Sequence, residues 1–262
     1  MANLFDLTGK VALVTGGARS IGLAIGIGLG RAGATVCFNC TGEKSLREAL
    51  KAYEEAGVPA RGFVADVARE AAVKEMMAEI ERQVGTVDIL VNNAGINRKA
   101  PLAEMEVEDF TQVLSVDLVG PFIVSKAVLP GMLAKGHGKI INVCSMMSEV
   151  GRDTVAAYAS AKGGLKMLTR NICTEYGGAN IQCNGLGPGY IATELTSSLR
   201  EVQADGTPNP FDQFIRRRTP AGRWGSPEDL VGPAVFLASE ASDFVNGQVL
   251  YVDGGILASL GK

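Results

Sequence analysis

Val11-Ala12-Leu13-Val14-Thr15-Gly16-Gly17-Ala18-Arg19-Ser20-Ile21-Gly22 is the stretch whose reading decides the fold. Four apolar residues make a short buried-strand pattern. A glycine-rich turn follows, and then an Ala/Gly/Leu/Ile run with helical character to about Ala32. Strand, glycine turn and helix in that order form a phosphate cradle. Missing side chains let the backbone approach a pyrophosphate, and the helix N-terminus favours its negative charge. Taken alone, Gly16-Gly17 is equally compatible with a simple tight turn, so the rest of the chain must decide.

Outward from this stretch, strand and helix patterns alternate without interruption. Ala34–Phe38 and Ala60–Val64 read as strands, with Glu43–Ala56 helical between them and Asp66 just beyond the second. Arg69–Val84 has helical periodicity, with Met76, Met77 and Ile80 on its apolar face. Val87–Val91 is a fourth strand, followed by Asn92-Asn93-Ala94-Gly95. Glu104–Lys135 is mostly helical, with Pro121 and Pro130 as candidate bends. Lys139–Cys144 is a fifth strand with Ser145 beyond it. Thr154–Tyr176 is a helix, and Asn180–Gly185 is a sixth strand opening into Gly187-Pro188-Gly189. Residues 191–220 are polar, turn-rich at Asp205–Pro210 and helical around Phe211–Arg218. An insertion at this edge reads as a lid over a substrate. Ser226-Pro227-Glu228 starts another helix, and Gly247–Val252 is the last strand. The pattern predicts an α/β fold: a doubly wound, Rossmann-like parallel sheet of about seven strands with helices on both faces, in one domain spanning 1–262.

Composition narrows the function. The 262 residues are 47% hydrophobic and 20% charged, a globular balance sufficient for one large core. The net charge of −3 gives no electrostatic footprint for nucleic acid, and Arg216-Arg217-Arg218 reads as a solvated helix face. Five cysteines (Cys37, Cys40, Cys144, Cys173 and Cys183) are an odd set lying mostly in apolar runs. They read as core thiols in a reducing compartment, not as a disulfide frame or metal site. The lone His137 stands in a turn without ligand partners, and no metal is expected. No signal peptide and no apolar run of bilayer-spanning length is visible, so the expectation is a cytoplasmic protein with no membrane partner.

Tyr158-Ala159-Ser160-Ala161-Lys162 supplies the chemistry. A helix puts Tyr158 and Lys162 on one face, one turn apart. A fixed ammonium beside a phenol favours the phenolate, so the pair can take a proton from a substrate oxygen or return one.

These pieces together resemble the short-chain dehydrogenase/reductase family over essentially the full chain. The matching motifs are Thr15-Gly16 with Gly22, Asp66, Asn92-Asn93-Ala94-Gly95, Ser145 thirteen residues before Tyr158, Tyr158-x-x-x-Lys162, and Pro188-Gly189 with Thr193. The resemblance implies that Tyr158 is the general acid-base, that Ser145 orients the substrate oxygen, and that Lys162 binds the nicotinamide ribose and favours the Tyr158 phenolate. It implies a cofactor site of Gly16, Arg19, Ser20, Ile21, Gly22, Asp66, Val67, Asn92, Ala94, Gly95, Tyr158, Lys162, Pro188, Gly189, Ile191 and Thr193. Two positions depart from the family pattern. Ser20 replaces the middle glycine of the first motif, and Asp117 stands where the family usually has a catalytic Asn that acts partly through its backbone carbonyl. NAD-preferring relatives carry an acid at the end of the second strand. Cys40 is there instead, and Arg19 could pair with a 2′-phosphate. NADP(H) rather than NAD is therefore the expected cofactor.

Within the family the chain is most similar to the sugar-acid branch. The similar stretches are Ile141–Glu149, Asn180–Asn184, Gly187–Thr193, Thr219–Gly225 and Phe244–Leu257. They imply interconversion of D-gluconate and 5-keto-D-gluconate. Arg98, after the fourth strand, lies at the carboxyl edge of the sheet where it could pair with the substrate carboxylate, and Glu149 and Arg152, just beyond Ser145, could bind hydroxyls beside Ser145 and Tyr158. A 3-oxoacyl-carrier-protein reductase, a deoxygluconate dehydrogenase and a dinucleotide-binding sensor without turnover are the alternatives. The last requires loss of Ser145, Tyr158 or Lys162, and all three are present. Family members are commonly tetramers, so a homotetramer is expected, with the apolar stretch Phe244–Leu260 at one contact.

Overall fold

Alternation along the strands sets the layers. Leu13, Leu90, Ile140 and Cys183 point into one apolar cluster, while Ala12, Val14, Ile89, Val91, Ile141 and Val143 point into another on the opposite face. Successive side chains of a strand leave opposite sides of a sheet, so strands this uniformly apolar must be covered on both. In the computed structural model, which describes residues 3–203 and 206–260, seven parallel strands lie in the order β3-β2-β1-β4-β5-β6-β7. They are β1 (Val11–Val14), β2 (Thr35–Cys40), β3 (Ala60–Val64), β4 (Ile89–Asn92), β5 (Gly138–Val143), β6 (Ile181–Pro188) and β7 (Val249–Val252). Asp205, in the turn-rich run, lies outside the described residues, as does Met1.

Helices α1 (Ser20–Arg31), α2 (Glu43–Glu55) and the helix at Val231–Ala238 cover one face through Ile25, Leu29, Tyr53, Ala234 and Leu237. Helices α3 (Glu70–Gln83), α5 (Gly120–Lys135) and α6 (Ala156–Tyr176) cover the other through Met76, Ile80, Val124, Met132 and Ile172. The Met76-Met77 pair is core, as its helical spacing predicts. Phe38 stacks on Tyr53 with ring centroids 4.9 Å apart, sealing α2 to β2. Each such fully buried large side chain contributes about 2–3 kcal/mol of transfer free energy. Most element boundaries agree with the sequence to within two or three residues. β6 runs three residues further than expected because its end pairs with β7, Pro188 opposite Val252.

The stretch read as one long helix with proline bends is built differently. Helix α4 (Val107–Leu114) passes through a π-helical turn, Ser115–Val119, into α5. Pro121 follows the π turn, where the backbone hydrogen-bond register shifts, and Pro130 lies inside α5. The helical run Val107–Lys135 spans 29 residues with a mean hydropathy of 1.6, which corrects the expectation that no stretch reaches bilayer-spanning length and apolarity. Half of its most apolar window is buried, and the packing of α5 on the sheet accounts for that composition.

The chain leaves β1 for β2 and β3, then returns to place β4 on the other side of β1. The strand order reverses there. The loops at the carboxyl ends of β1 and β4 splay apart and leave a crevice, the ligand position in open α/β sheets.

Candidate active site

The β1–α1 turn is shaped for close approach. Gly16 takes a left-handed backbone with φ +61°, and a Cβ there would lie 2.9 Å from Ala94 Cα. A Cβ on Gly22 would meet Asn93 Nδ2 and the Gly16 carbonyl at 2.4 Å each. Ser20, in place of the family glycine, keeps a left-handed φ of +48°. The chain thus retains the glycine conformation and accepts a modest backbone cost. No side chain caps the α1 N-terminus. Its first N–H groups are free for an anion, and the glycine cradle leaves room for one, so the residues fit a dinucleotide pyrophosphate.

Several side chains fasten this turn. Thr15 Oγ1 accepts from the N–H groups of Asn93 (3.0 Å) and Ala94 (3.1 Å). Asn93 Nδ2 donates to the carbonyls of Thr15 and Gly16. Asn39 Oδ1 accepts from the Gly16 N–H at 2.9 Å, and Tyr53 Oη donates to the Gly17 carbonyl at 3.1 Å. Asn39 and Tyr53 escaped sequence reasoning, because only the packed sheet brings them to the turn. Asn92, expected at the cofactor, turns its side chain inward: Nδ2 donates to Ser125 Oγ (3.0 Å) and Asn142 Oδ1 (2.9 Å). Asp66 is exposed beyond β3, where its Oδ1 accepts from the Ala68 N–H. Val67 is buried and packs where a Cβ on Gly120 would stand. At the end of β2, Cys40 is buried, and Arg19 is exposed at the start of α1. Gly189 donates its N–H to the Val252 carbonyl. Ile191 pairs with Gly225, and the Thr193 N–H donates to Thr196 Oγ1.

The chemistry-bearing groups gather where β5 meets α6. Ser145 is buried and starts a one-turn 3-10 segment; its Oγ accepts from the Met147 N–H at 3.1 Å. Ser148 Oγ donates to the Lys162 carbonyl, tying this turn to α6. Lys162 Nζ lies 5.4 Å from the centre of the half-buried Tyr158 ring and donates to the Val143 carbonyl at 2.9 Å. Asp117 joins them from the π turn. Its Oδ2 is 3.2 Å from Lys162 Nζ, with side-chain exposures of 0% and 5%, and its Oδ1 accepts from the Ile96 N–H at 2.7 Å. The charged side chain of Asp117 therefore pairs with the lysine. Burial works against the Lys162 ammonium, but Asp117, with Tyr158 and Cys144, outweighs it and holds the group above its ordinary range. Burial pushes Asp117 up, while Lys162 and the Ile96 N–H pull it back. Burial also pushes the Cys144 thiol up to about 11.

The candidate substrate residues separate. Glu149 pairs with Lys166 and accepts from Tyr251 Oη at 2.5 Å; Lys166 and then Tyr251 hold its carboxyl below the usual range. Arg98 lies 3.6 Å from Asp109 and also contacts Gln112. With Asn97, Lys99, Asp109 and Thr196 it lines a cavity of about 400 Å³. Arg152 packs over the Phe211 ring at 5.3 Å. Arg200, which no sequence motif marks, packs over Trp224 at 5.7 Å. Among the described residues, no group of three or more His, Cys, Asp or Glu is placed to hold a metal ion.

A nucleotide cradle beside a Ser-Tyr-Lys cluster defines a dinucleotide-dependent oxidoreductase. The chain belongs to the short-chain dehydrogenase/reductase family: a family model described as enoyl-(acyl carrier protein) reductase matches residues 16–257. It is 54% identical over 261 residues to a 2-dehydro-3-deoxy-D-gluconate 5-dehydrogenase from Formosa agariphila, covering 99% of this chain and 97% of that one. It is 48% identical over 258 residues to a gluconate 5-dehydrogenase from Gluconobacter oxydans, covering 98% of each. A crystal structure of a gluconate 5-dehydrogenase from Burkholderia cenocepacia, in complex with NADP and tartrate, superposes with a TM-score of 0.91 at 46% identity over 98% of each chain.

Proposed function

We propose that this chain is an NADP(H)-dependent oxidoreductase interconverting a sugar acid and its keto form, D-gluconate and 5-keto-D-gluconate. One observation carries the reading: Lys162, fixed by Asp117 and the Val143 carbonyl, stands beside Tyr158 where β5 presents Ser145. The nicotinamide supplies the hydride acceptor or donor. In oxidation, Tyr158 Oη takes the hydroxyl proton as the carbinol carbon gives up its hydride; in reduction it returns the proton to the carbonyl oxygen. Ser145 Oγ already accepts from the Met147 N–H, which leaves its own O–H to donate to the substrate oxygen. Lys162 favours the phenolate and donates to the nicotinamide ribose.

Gly16, Ser20, Ile21 and Gly22 hold the pyrophosphate. Arg19 meets the 2′-phosphate, with no acid at Cys40 to repel it, and the Burkholderia relative is in complex with NADP. Asp66 and Val67 flank the adenine, and Asn92, Ala94 and Gly95 line the adenosine side through their backbone. Pro188, Gly189, Ile191 and Thr193 meet the carboxamide. Residues 191–220 cover the substrate. The single-domain organisation leaves both sites on one sheet edge.

A 2-dehydro-3-deoxy-D-gluconate substrate is the second reading, supported because the relative named for it is more identical than the gluconate 5-dehydrogenase, 54% against 48%. Fully exposed Phe244 and Leu260, with exposed Phe122 and Leu133 on α5 and Met167 on α6, support a homotetramer. Five unpaired cysteines support a reducing, cytoplasmic setting.

Absorbance at the reduced-nicotinamide band tests the reading. The substrates are 5-ketogluconate, its 3-deoxy-2-keto counterpart and an acetoacetyl thioester, each with NADPH and NADH. Saturable NADPH oxidation by a sugar acid is expected, and turnover with the thioester alone would refute it. Tyr158→Phe is expected to lower turnover by at least about 100-fold while NADPH binding persists.

A further inference from the structure

Twelve ion pairs occur among the described residues, and Arg82, Arg98, Arg216 and Arg223 each take part in one with a carboxylate. Arg152 and Arg200 do not. Each has a buried Nε without a hydrogen-bond partner. Arg200 Nη2 donates to the Thr193 carbonyl at 2.9 Å, which fixes the guanidinium but not its charge. Both lie against aromatic rings, Arg152 by Phe211 and Arg200 by Trp224, and these rings lie 6.4 Å apart. Tyr190, directly after Gly189, closes the cluster at 5.4 Å from Trp224 and 5.7 Å from Phe211. Two guanidiniums with no ion-pair partner among the described residues, each beside an aromatic ring and with a buried Nε unpaired, form a site that lacks an anion.

We propose that Arg200, with Arg152 as a second arm, is the carboxylate subsite for the sugar-acid substrate, and that Arg98 is not. This rests on the sugar-acid reading and names the group that selects for it. The location agrees. Arg152 follows the Ser145 turn, and Arg200 is anchored to Thr193, just beyond the β6 end. Thr196, whose Oγ1 donates to the Ile191 carbonyl at 2.9 Å, lines the cavity shared with Asn97. Asn97 Oδ1 is itself buried without a donor, an acceptor suited to a substrate hydroxyl. An acyl thioester would leave both guanidiniums uncompensated. Arg98 is already paired and half exposed, with a side-chain exposure of 53%.

Calorimetry on the NADP⁺-loaded enzyme tests this with D-gluconate and neutral D-gluconamide. Trp224, the only tryptophan in the chain, provides a fluorescence readout beside Arg200. Wild type is expected to bind gluconate more tightly than gluconamide. Arg200→Gln should weaken gluconate about 10- to 100-fold, the loss of one charge-assisted contact. Gluconamide and NADP⁺ binding should stay unchanged, KM should move more than kcat, and Arg200→Lys should recover part of the loss. Equal affinity of wild type for the two ligands, or equal loss of both in Arg200→Gln, overturns the subsite. If wild type fails to reduce 5-ketogluconate yet binds gluconate through Arg200, the catalytic reading falls and the subsite stands. If it turns over normally and Arg200→Gln is silent, the reverse holds.

Discussion

Asp117→Asn removes one charge from the most enclosed ion pair among the described residues and leaves its shape intact. The partners are 3.2 Å apart with side-chain exposures of 5% and 0%. At an effective dielectric of about 20 their mutual attraction is roughly 5 kcal/mol, offset by the cost of desolvating both ions. Asparagine keeps an oxygen to accept from the Ile96 N–H, so the loss isolates the charge. A buried ammonium without its partner costs about 3–5 kcal/mol. In a chain of this size that is a drop in Tm of roughly 6–20 °C. Lys162→Met, alone and with Asp117→Asn, completes a double-mutant cycle. Because the double variant leaves no unpaired charge, it should be more stable than the sum of the single losses implies, by about 1–3 kcal/mol. Urea unfolding without cofactor, at one fixed protein concentration, reads all four proteins. A single loss below about 1 kcal/mol, or additivity within about 0.5 kcal/mol, would refute the argument that this pair anchors the lysine.

Three further outcomes follow from the geometry. Cys40→Asp places an acid at the end of β2, where it can accept from a ribose 2′-hydroxyl and repel a 2′-phosphate. The NADPH/NADH ratio of kcat/KM should fall at least about tenfold, and an unchanged ratio would remove Cys40 from the specificity argument. Gly22→Ala drives a Cβ to 2.4 Å from Asn93 Nδ2 and the Gly16 carbonyl. It should cost about 1–3 kcal/mol of stability and weaken NADPH binding, and wild-type values for both would show that the cradle yields. Asp229 is held down to about 2 from an ordinary 3.8, first by Arg223 and then by the Ser226 N–H. Its folded value lies below its unfolded one, so its contribution is complete above about pH 4 and is lost as pH falls toward 2. Asp229→Asn should therefore flatten the fall of Tm across that window, and superimposable curves would contradict it.

The order of elements was legible because each strand and helix advertises its own period, and the glycine turn names the crevice end of the sheet. The site was legible only where its members share one segment. Tyr158 and Lys162 are one turn apart on α6, and Ser145 follows a strand. The helical reading of 104–135 missed the π turn at Ser115–Val119, since one extra residue in a helical turn leaves no mark on hydrophobic spacing.

By itself the sequence determined the doubly wound topology through local periodicity, and its short-range spacing singled out the glycine turn and the Tyr158–Lys162 pair, while the role of Ser145 came from the family resemblance. Tertiary structure decided what long-range contact alone can decide. It turned Asp117 from an altered backbone position into the counter-ion of Lys162. It turned Asn92 away from the crevice and brought Asn39 and Tyr53 to the glycine turn. It also consumed the charge of Arg98 on Asp109 while leaving Arg152 and Arg200 without one. A side chain's partner depends on which segments pack against it, and no spacing along the chain records that.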